Sequence, residues 1–267
     1  MGGLDGRIAL VTGASRGIGA AIAQRLAMDG AVVAVSARTV NPGDSRFEGT
    51  INETVERIRA AGGTAIALAA DLSPPDQRQR LLEETERELG PIDILVNNAA
   101  VTWFEPTTEF KESHYDLMFE VQVKAAFQMA QHVLEGMRAR GSGAILNISS
   151  GAARHIPGPP YPNPRGNTVY GMCKAALERF TTGLASEVWA DGVAVNVLSP
   201  SKVVLTPGVV HHQLVKPGEE DRAEGVEVIA EAAHALVSGD PKERTGIIGY
   251  SQEVCDRFGV TPTPLPA

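Results

Sequence analysis

Cysteine is nearly missing from this 267-residue chain, which holds only Cys173 and Cys255. Two thiols cannot build a disulfide framework or a zinc site, so they read as free thiols in a reducing compartment, and no metal site is expected. A basic excess is missing as well. The formal net charge is −8 and no local Lys/Arg cluster reverses it, which argues against nucleic acid as a partner. No apolar run approaches the roughly 18 residues of a bilayer span, so no membrane partner is expected. The opening Met1-Gly-Gly-Leu-Asp-Gly6 lacks the basic-plus-apolar layout of a signal segment, and Gly6 stands where a myristoylation motif needs Ser or Thr. A cytoplasmic location is the expectation. Internal repeats and low-complexity stretches are likewise missing.

What is present is a regular alternation. Short β-rich runs recur at Ile8–Val11, Val32–Ser36, Ala65–Ala69, Ile94–Val96, Ala144–Ile148, Val193–Leu198 and Ile247–Tyr250. Helical patterns separate them at Ile18–Met28, Ile51–Ala61, Pro75–Leu89, Glu112–Arg140, Tyr170–Trp189 and Val226–Val237. Strands alternating with helices predict βαβ units and a doubly wound parallel sheet with helices on both faces, because near-continuous apolar strands need burial on both sides. The length suits one α/β domain over 1–260, followed by an irregular tail at 261–267. Two segments break the rhythm. Val40–Gly49 lengthens the connection after the second strand, and Arg154–Asn167 is a loop with five prolines.

Ligands in such sheets bind beyond the carboxyl ends of the strands. The first strand opens into Gly13-Ala14-Ser15-Arg16-Gly17-Ile18-Gly19. Gly13 permits a sharp exit from the strand, while Gly17 and Gly19 keep side chains away where backbone must approach a ligand. The helix that follows aims free N–H groups and its positive dipole end at the turn, which suits a pyrophosphate. The Gly-x-x-x-Gly-x-Gly spacing differs from the commoner Gly-x-Gly-x-x-Gly fingerprint.

Tyr170 and Lys174 lie four apart on a helix and share a face. An ammonium about 4 Å from a phenol contributes on the order of 4 kcal/mol at intermediate dielectric, enough to lower its pKa by up to about three units before desolvation opposes it. Such a tyrosine exchanges protons near neutral pH. An ordinary surface pair has the same spacing, so the pair gains meaning from its company. Ser149 and Ser150 end the fifth strand, Asn97-Asn98-Ala99 ends the fourth, and Asp71 follows the third.

Taken in order, Thr12–Gly19, Asn97-Asn98-Ala99, Ser150, Tyr170-x-x-x-Lys174 and Asn196-x-x-x-Pro200 resemble the short-chain dehydrogenase/reductase family over nearly the whole chain. The resemblance implies a Rossmann-type fold of about seven strands and hydride transfer between a nicotinamide dinucleotide and a small carbonyl or alcohol. Tyr170 would be the acid/base, Lys174 would lower its pKa and hold the nicotinamide ribose, and Ser150 would hydrogen-bond the substrate oxygen. Ser149, one residue earlier, should face the other side of the strand. Residues 13–19 would bind the pyrophosphate, Asp71 with Leu72 would meet the adenine, and Asn98 would meet the cofactor or the neighbouring strand. No acid stands at Ala37, where an NAD-selective member would place one; Arg38 and Arg16 would suit a 2′-phosphate, favouring NADP(H) over NAD(H). The resemblance also implies a homodimer or homotetramer formed through the Glu112–Arg140 and Tyr170–Trp189 helices.

Three positions depart from the family pattern. Gln122 replaces the usual catalytic asparagine, which acts largely through its backbone carbonyl on a water near the lysine. Ser201 replaces a glycine after Pro200, with Thr206 one residue late, and Ala100 replaces another glycine. These, with the long connection after Arg38 and the ending Thr245–Val254, give a narrower resemblance to the branch around hydroxysteroid dehydrogenase-like protein 2. They also leave a rival open, a nucleotide-binding protein with little turnover that serves as redox sensor or scaffold. Trp103, Phe104, His155 and Tyr161 fall in segments that should border a cleft for a hydrophobic substrate, while His211-His212 reads as a solvated pair.

Overall fold

Apolar strands without an alternating polar face can be stable only inside a sheet covered on both sides. The computed structural model, which describes residues 3–161, 166–211, 215, 218 and 220–266, shows such a sheet. In chain order the elements are β1 (Ile8–Thr12), α1 (Gly17–Met28), β2 (Val32–Ala37), α2 (Ile51–Ala60), β3 (Thr64–Ala69), α3 (Pro75–Leu89) and β4 (Ile94–Asn97). Then follow α4 (Glu112–Phe119), a π turn (Glu120–Lys124), α5 (Ala125–Arg140), β5 (Gly143–Ile148), α6 (Thr168–Val188), β6 (Val193–Ser199) and β7 (Val203–Val204). The chain continues through α7 (Pro207–His211), β8 (Ala223–Glu224), α8 (Val226–Ser238), β9 (Ile248–Tyr250) and α9 (Ser251–Phe258).

Seven strands form one sheet in the order β3-β2-β1-β4-β5-β6-β9, and each neighbouring pair is parallel. Side chains alternate across it: Ala9 and Val11 join a core with α1, α2, α8 and α9, whereas Leu10 joins a second core with α3, α5 and α6. From β1 the chain runs outward to β2 and β3, then returns to lay β4 against the other side of β1. That reversal opens a crevice between the carboxyl ends of β1 and β4. The small β7–β8 ladder pairs Val203 with Ala223 beyond the end of β6.

Local chemistry sets several boundaries. Thr50 begins α2 with a capping box: its hydroxyl accepts from Glu53 N–H at 3.1 Å, and the Glu53 carboxylate accepts from Thr50 N–H at 2.9 Å. Glycines in left-handed conformation end α5 and α9, at Gly141 and Gly259.

The continuous helix expected over Glu112–Arg140 is corrected to two helices joined by the π turn. Its first residue is held from outside, since the buried Arg78 guanidinium pairs with Glu120 Oε1 at 2.7 Å. Two residues on, Gln122 Nε2 donates to Val101 O at 2.8 Å. These tertiary ties accommodate one extra residue in the helix, a change that apolar periodicity does not register. The helix expected from Tyr170 begins at Thr168 instead, which sets Tyr170 inside its first turn.

Candidate active site

The turn after β1 leaves its glycines no room for a side chain of their own. Gly13 and Gly17 have φ of +64° and +56°. A Cβ at Gly13 would lie 2.8 Å from Ala99 Cα, and one at Gly19 would lie 2.5 Å from both Asn98 Nδ2 and Gly13 O. No side chain caps α1, so the N–H groups of its first turn remain directed at the cleft. Ala14 is fully buried, with its N–H donating to Ser36 O at 3.0 Å; Ser15 is buried, and Ile18 packs on the core below.

Thr12 locks this turn to β4, a role that motif reading passed over although the residue ends β1 directly before Gly13. Its hydroxyl donates to Val96 O at 3.1 Å and accepts from the N–H groups of Asn98 and Ala99 at 3.0 and 3.2 Å. The Asn98 amide donates to Thr12 O and Gly13 O at 2.9 and 3.1 Å. Asn98 thus joins the ends of β1 and β4.

Arg16 leaves the turn sideways into the long connection after β2. Its guanidinium donates to Thr39 Oγ1 at 3.0 Å, Ser45 Oγ at 3.2 Å and Gly49 O at 2.8 Å. Burial lowers its pKa, with Glu53 opposing at longer range. Arg38 is exposed and lies 3.7 Å from Asp71 Oδ2. Burial disfavours the Asp71 carboxylate, yet the N–H and hydroxyl of Ser73, at 2.9 and 2.8 Å, together with Arg38, leave its pKa lowered. Leu72 is buried, and its carbonyl accepts from Arg78 at 2.7 Å.

Across the cleft, β5 ends at Ile148 and α6 begins at Thr168, which brings Ser150, Tyr170 and Lys174 together. Ser149 turns away and donates to Glu178 Oε1 at 3.0 Å. Ser150 has extended backbone, accepts from Ala152 N–H at 3.3 Å, and hydrogen-bonds Tyr170. Lys174 is 3% exposed; its Nζ donates to Ile148 O at 2.9 Å and lies 5.5 Å from the centre of the Tyr170 ring. Burial brings the Lys174 pKa down to about 8. The Tyr170 phenol departs from the sequence expectation: burial pushes its pKa up, and Ser150 opposes only part of that rise. Spacing places the ammonium near the ring but carries no information about burial, and here desolvation outweighs the Ser150 hydrogen bond.

Gln122 is buried at the floor of the cleft, where it lines a narrow crevice with Thr12, Asn97, Ile148 and Lys174. Phe104 places its ring edge-on to Tyr170 at 5.6 Å, and Trp103 stacks on His114 at 4.0 Å. His155 and Tyr161 are exposed, and residues 162–165 of the proline-rich loop lie outside the described residues. Ser201 accepts from Gln252 N–H at 2.9 Å and donates its own N–H to Ser251 Oγ at 2.8 Å, fixing the root of the following loop to α9. That loop returns Thr206 to the glycine turn, where a Cβ at Gly17 would lie 2.8 Å from Thr206 Cγ2. His211 meets Phe47 edge-on at 5.3 Å; His212 lies outside the described residues. Among the described residues no cluster of His, Cys, Asp or Glu is placed to hold a metal ion, and no helix is long and apolar enough to cross a membrane.

The short chain dehydrogenase family model matches residues 7–213. An uncharacterised oxidoreductase of Methylorubrum extorquens is 36% identical over 254 residues, covering 94% of this chain and 92% of that protein. Human hydroxysteroid dehydrogenase-like protein 2 is 31% identical over 97% of this chain, which spans 60% of that longer protein. The crystal structure of a 3-oxoacyl (acyl-carrier-protein) reductase from Agrobacterium tumefaciens, solved with NADP, aligns with a TM-score of 0.78 at 32% identity and covers 92% of each chain. With the parallel sheet, the glycine turn and the Ser150–Tyr170–Lys174 grouping already in place, these matches show that the chain belongs to the short-chain dehydrogenase/reductase family.

Proposed function

We propose that this protein is an NADP(H)-dependent oxidoreductase that interconverts a small, hydrophobic carbonyl compound and its alcohol, with Tyr170 as acid/base. The observation that carries the reading is the convergence of Ser150, Tyr170 and Lys174 on one side of a cleft whose other wall is a turn that tolerates only glycine at 13, 17 and 19. That turn and the uncapped start of α1 fit a dinucleotide pyrophosphate. When bound, the nicotinamide supplies the hydride to a carbonyl carbon or takes it from an alcohol. Ser150 and Tyr170 hydrogen-bond the substrate oxygen. In reduction the Tyr170 hydroxyl donates its proton to that oxygen as it gains charge, and solvent restores the proton afterwards. A phenol with raised pKa stays protonated at neutral pH, the form that reduction requires. The Lys174 ammonium lies where it favours the tyrosinate left behind.

Arg16 supports the phosphorylated cofactor. It is a partly buried guanidinium whose hydrogen-bond partners Thr39, Ser45 and Gly49 are all neutral, and its Nε has no partner among the described residues. Such a cation suits a 2′-phosphate, as does the exposed Arg38 directly after β2. The Agrobacterium reductase solved with NADP points the same way. Fluorescence titration tests this: Arg16→Ala should weaken NADPH binding about 10- to 100-fold, the value of one charge-assisted hydrogen bond, with NADH affinity nearly unchanged. An equal loss for both dinucleotides contradicts the assignment.

Ile156, Tyr161, Leu205 and Val210 are exposed apolar side chains on the segments that follow β5 and β6, which favours an apolar substrate over a sugar. A panel of ketones, aldehydes, 3-oxoacyl thioesters and sugars tests the class, with turnover of sugars alone refuting it.

A further inference from the structure

The backbone that carries Ser150 is tied down on both sides by side chains that hydride transfer leaves without a task. On one side the buried Ser149 donates its hydroxyl to Glu178 Oε1 at 3.0 Å. On the other, Arg154 Nε donates to Tyr250 Oη at 2.6 Å, and its guanidinium lies 3.7 Å from the centre of the Tyr250 ring at the end of β9. Between these ties the chain makes one short turn, Gly151–Ala153, set closely on α6: a Cβ at Gly171 would lie 2.7 Å from Ala152 O. Segment 149–154 is thus fixed to other elements at Ser149, Ala152 and Arg154. Glu178 stands on the helix that also carries Tyr170 and Lys174, and at intervals of four residues the three share one stripe of α6. One rigid element therefore presents Tyr170 and grips the neighbour of Ser150. Burial pushes the Glu178 pKa up, with the Ser149 hydrogen bond and Arg154 opposing. A carboxyl held there costs free energy that an apolar side chain avoids, and what it supplies in return is an acceptor within reach of Ser149.

We propose that Glu178 is a positioning residue for Ser150: by holding Ser149 it aims the Ser150 hydroxyl at Tyr170, while the Arg154–Tyr250 tie fixes the far end of the segment. Successive side chains of an extended chain point opposite ways, so a grip on Ser149 sets the direction of Ser150, whose own backbone is extended. Glu178 acts only through these two serines and meets neither substrate nor cofactor. This role rests on the reading of Ser150 and Tyr170 as the groups that meet the substrate oxygen.

Three variants test it. Glu178→Met removes the acceptor, Glu178→Gln keeps an acceptor oxygen, and Ser149→Ala removes the donor while leaving Glu178 in place. NADPH oxidation is followed with the ketones, aldehydes and 3-oxoacyl thioesters of the panel. Glu178→Met and Ser149→Ala should each lower kcat about 10- to 100-fold, the effect of a misaligned group, with the KM for NADPH within about three-fold of wild type. Glu178→Gln should recover most of that loss. In a Ser150→Ala background Glu178→Met should cost nothing further, because its effect passes through Ser150. Equal losses in both backgrounds overturn the proposal, as does a wild-type kcat in Ser149→Ala or a Glu178→Gln protein as slow as Glu178→Met. Crystal structures of the wild type and Ser149→Ala need no substrate: Ser150 Oγ should lie within hydrogen-bonding distance of Tyr170 Oη in the first and beyond it in the second. An unmoved Ser150 in Ser149→Ala also overturns the proposal. A wild type that turns over nothing in the panel refutes the proposed function, while the two crystal structures still decide the role of Glu178.

Discussion

Lys174→Met should make the protein more stable at neutral pH while removing its activity. A buried ammonium is costly, and the structure gives the size of that cost. The Lys174 pKa falls from the ordinary 10.5 to about 8, chiefly through desolvation. At about 1.4 kcal/mol per unit, keeping the proton on the folded chain at pH 7 costs on the order of 3 kcal/mol relative to an unburied lysine. Methionine is close in length and apolar, so it escapes that cost. It forfeits the hydrogen bond to Ile148 O, worth about 1 kcal/mol, which leaves a net gain of about 2 kcal/mol. Between about pH 8 and 10.5 the unfolded chain keeps a proton that the folded wild type has shed, so wild-type stability rises with pH there. The advantage of Lys174→Met must shrink across the same window. Urea unfolding of the apo proteins at about pH 7 and about pH 10 measures both quantities. A variant less stable than wild type at pH 7, or a difference that does not change with pH, refutes the reasoning.

Gly19→Val should abolish dinucleotide binding, because a side chain there meets Asn98 Nδ2 and Gly13 O at 2.5 Å and must push the turn away from β4; retained NADPH affinity by fluorescence would contradict this. The exposed Tyr115, Phe127 and Met172 lie on α4, α5 and α6, the faces expected to meet another copy. We propose a homodimer or homotetramer on that basis, and a monomeric mass by light scattering at micromolar concentration would exclude it.

The parallel sheet was legible because its strands are buried on both faces, so each of the seven apolar runs could be read without knowing its neighbours. The glycine turn was legible for a different reason, since close backbone approach tolerates no other residue. What escaped was whatever tertiary contacts impose. The π turn at Glu120–Lys124 depends on Arg78 and Val101, residues distant in sequence. The short helix α9 buries only Ser251, Val254 and Cys255, too few positions for a helical period to show. Tyr170 and Lys174 were identified by spacing, but the direction of the Tyr170 shift followed from burial, which spacing does not encode.

Tyr170→Phe tests the central claim most directly. The substitution removes one hydroxyl from a half-buried ring and leaves the glycine turn, Arg16 and Lys174 in place. The account predicts that carbonyl-dependent NADPH oxidation falls by about 10²- to 10⁴-fold, the contribution of a positioned general acid, while NADPH affinity stays within about three-fold of wild type. Undiminished turnover in Tyr170→Phe would contradict it, as would a wild type that binds NADPH yet oxidises it with no carbonyl in the panel.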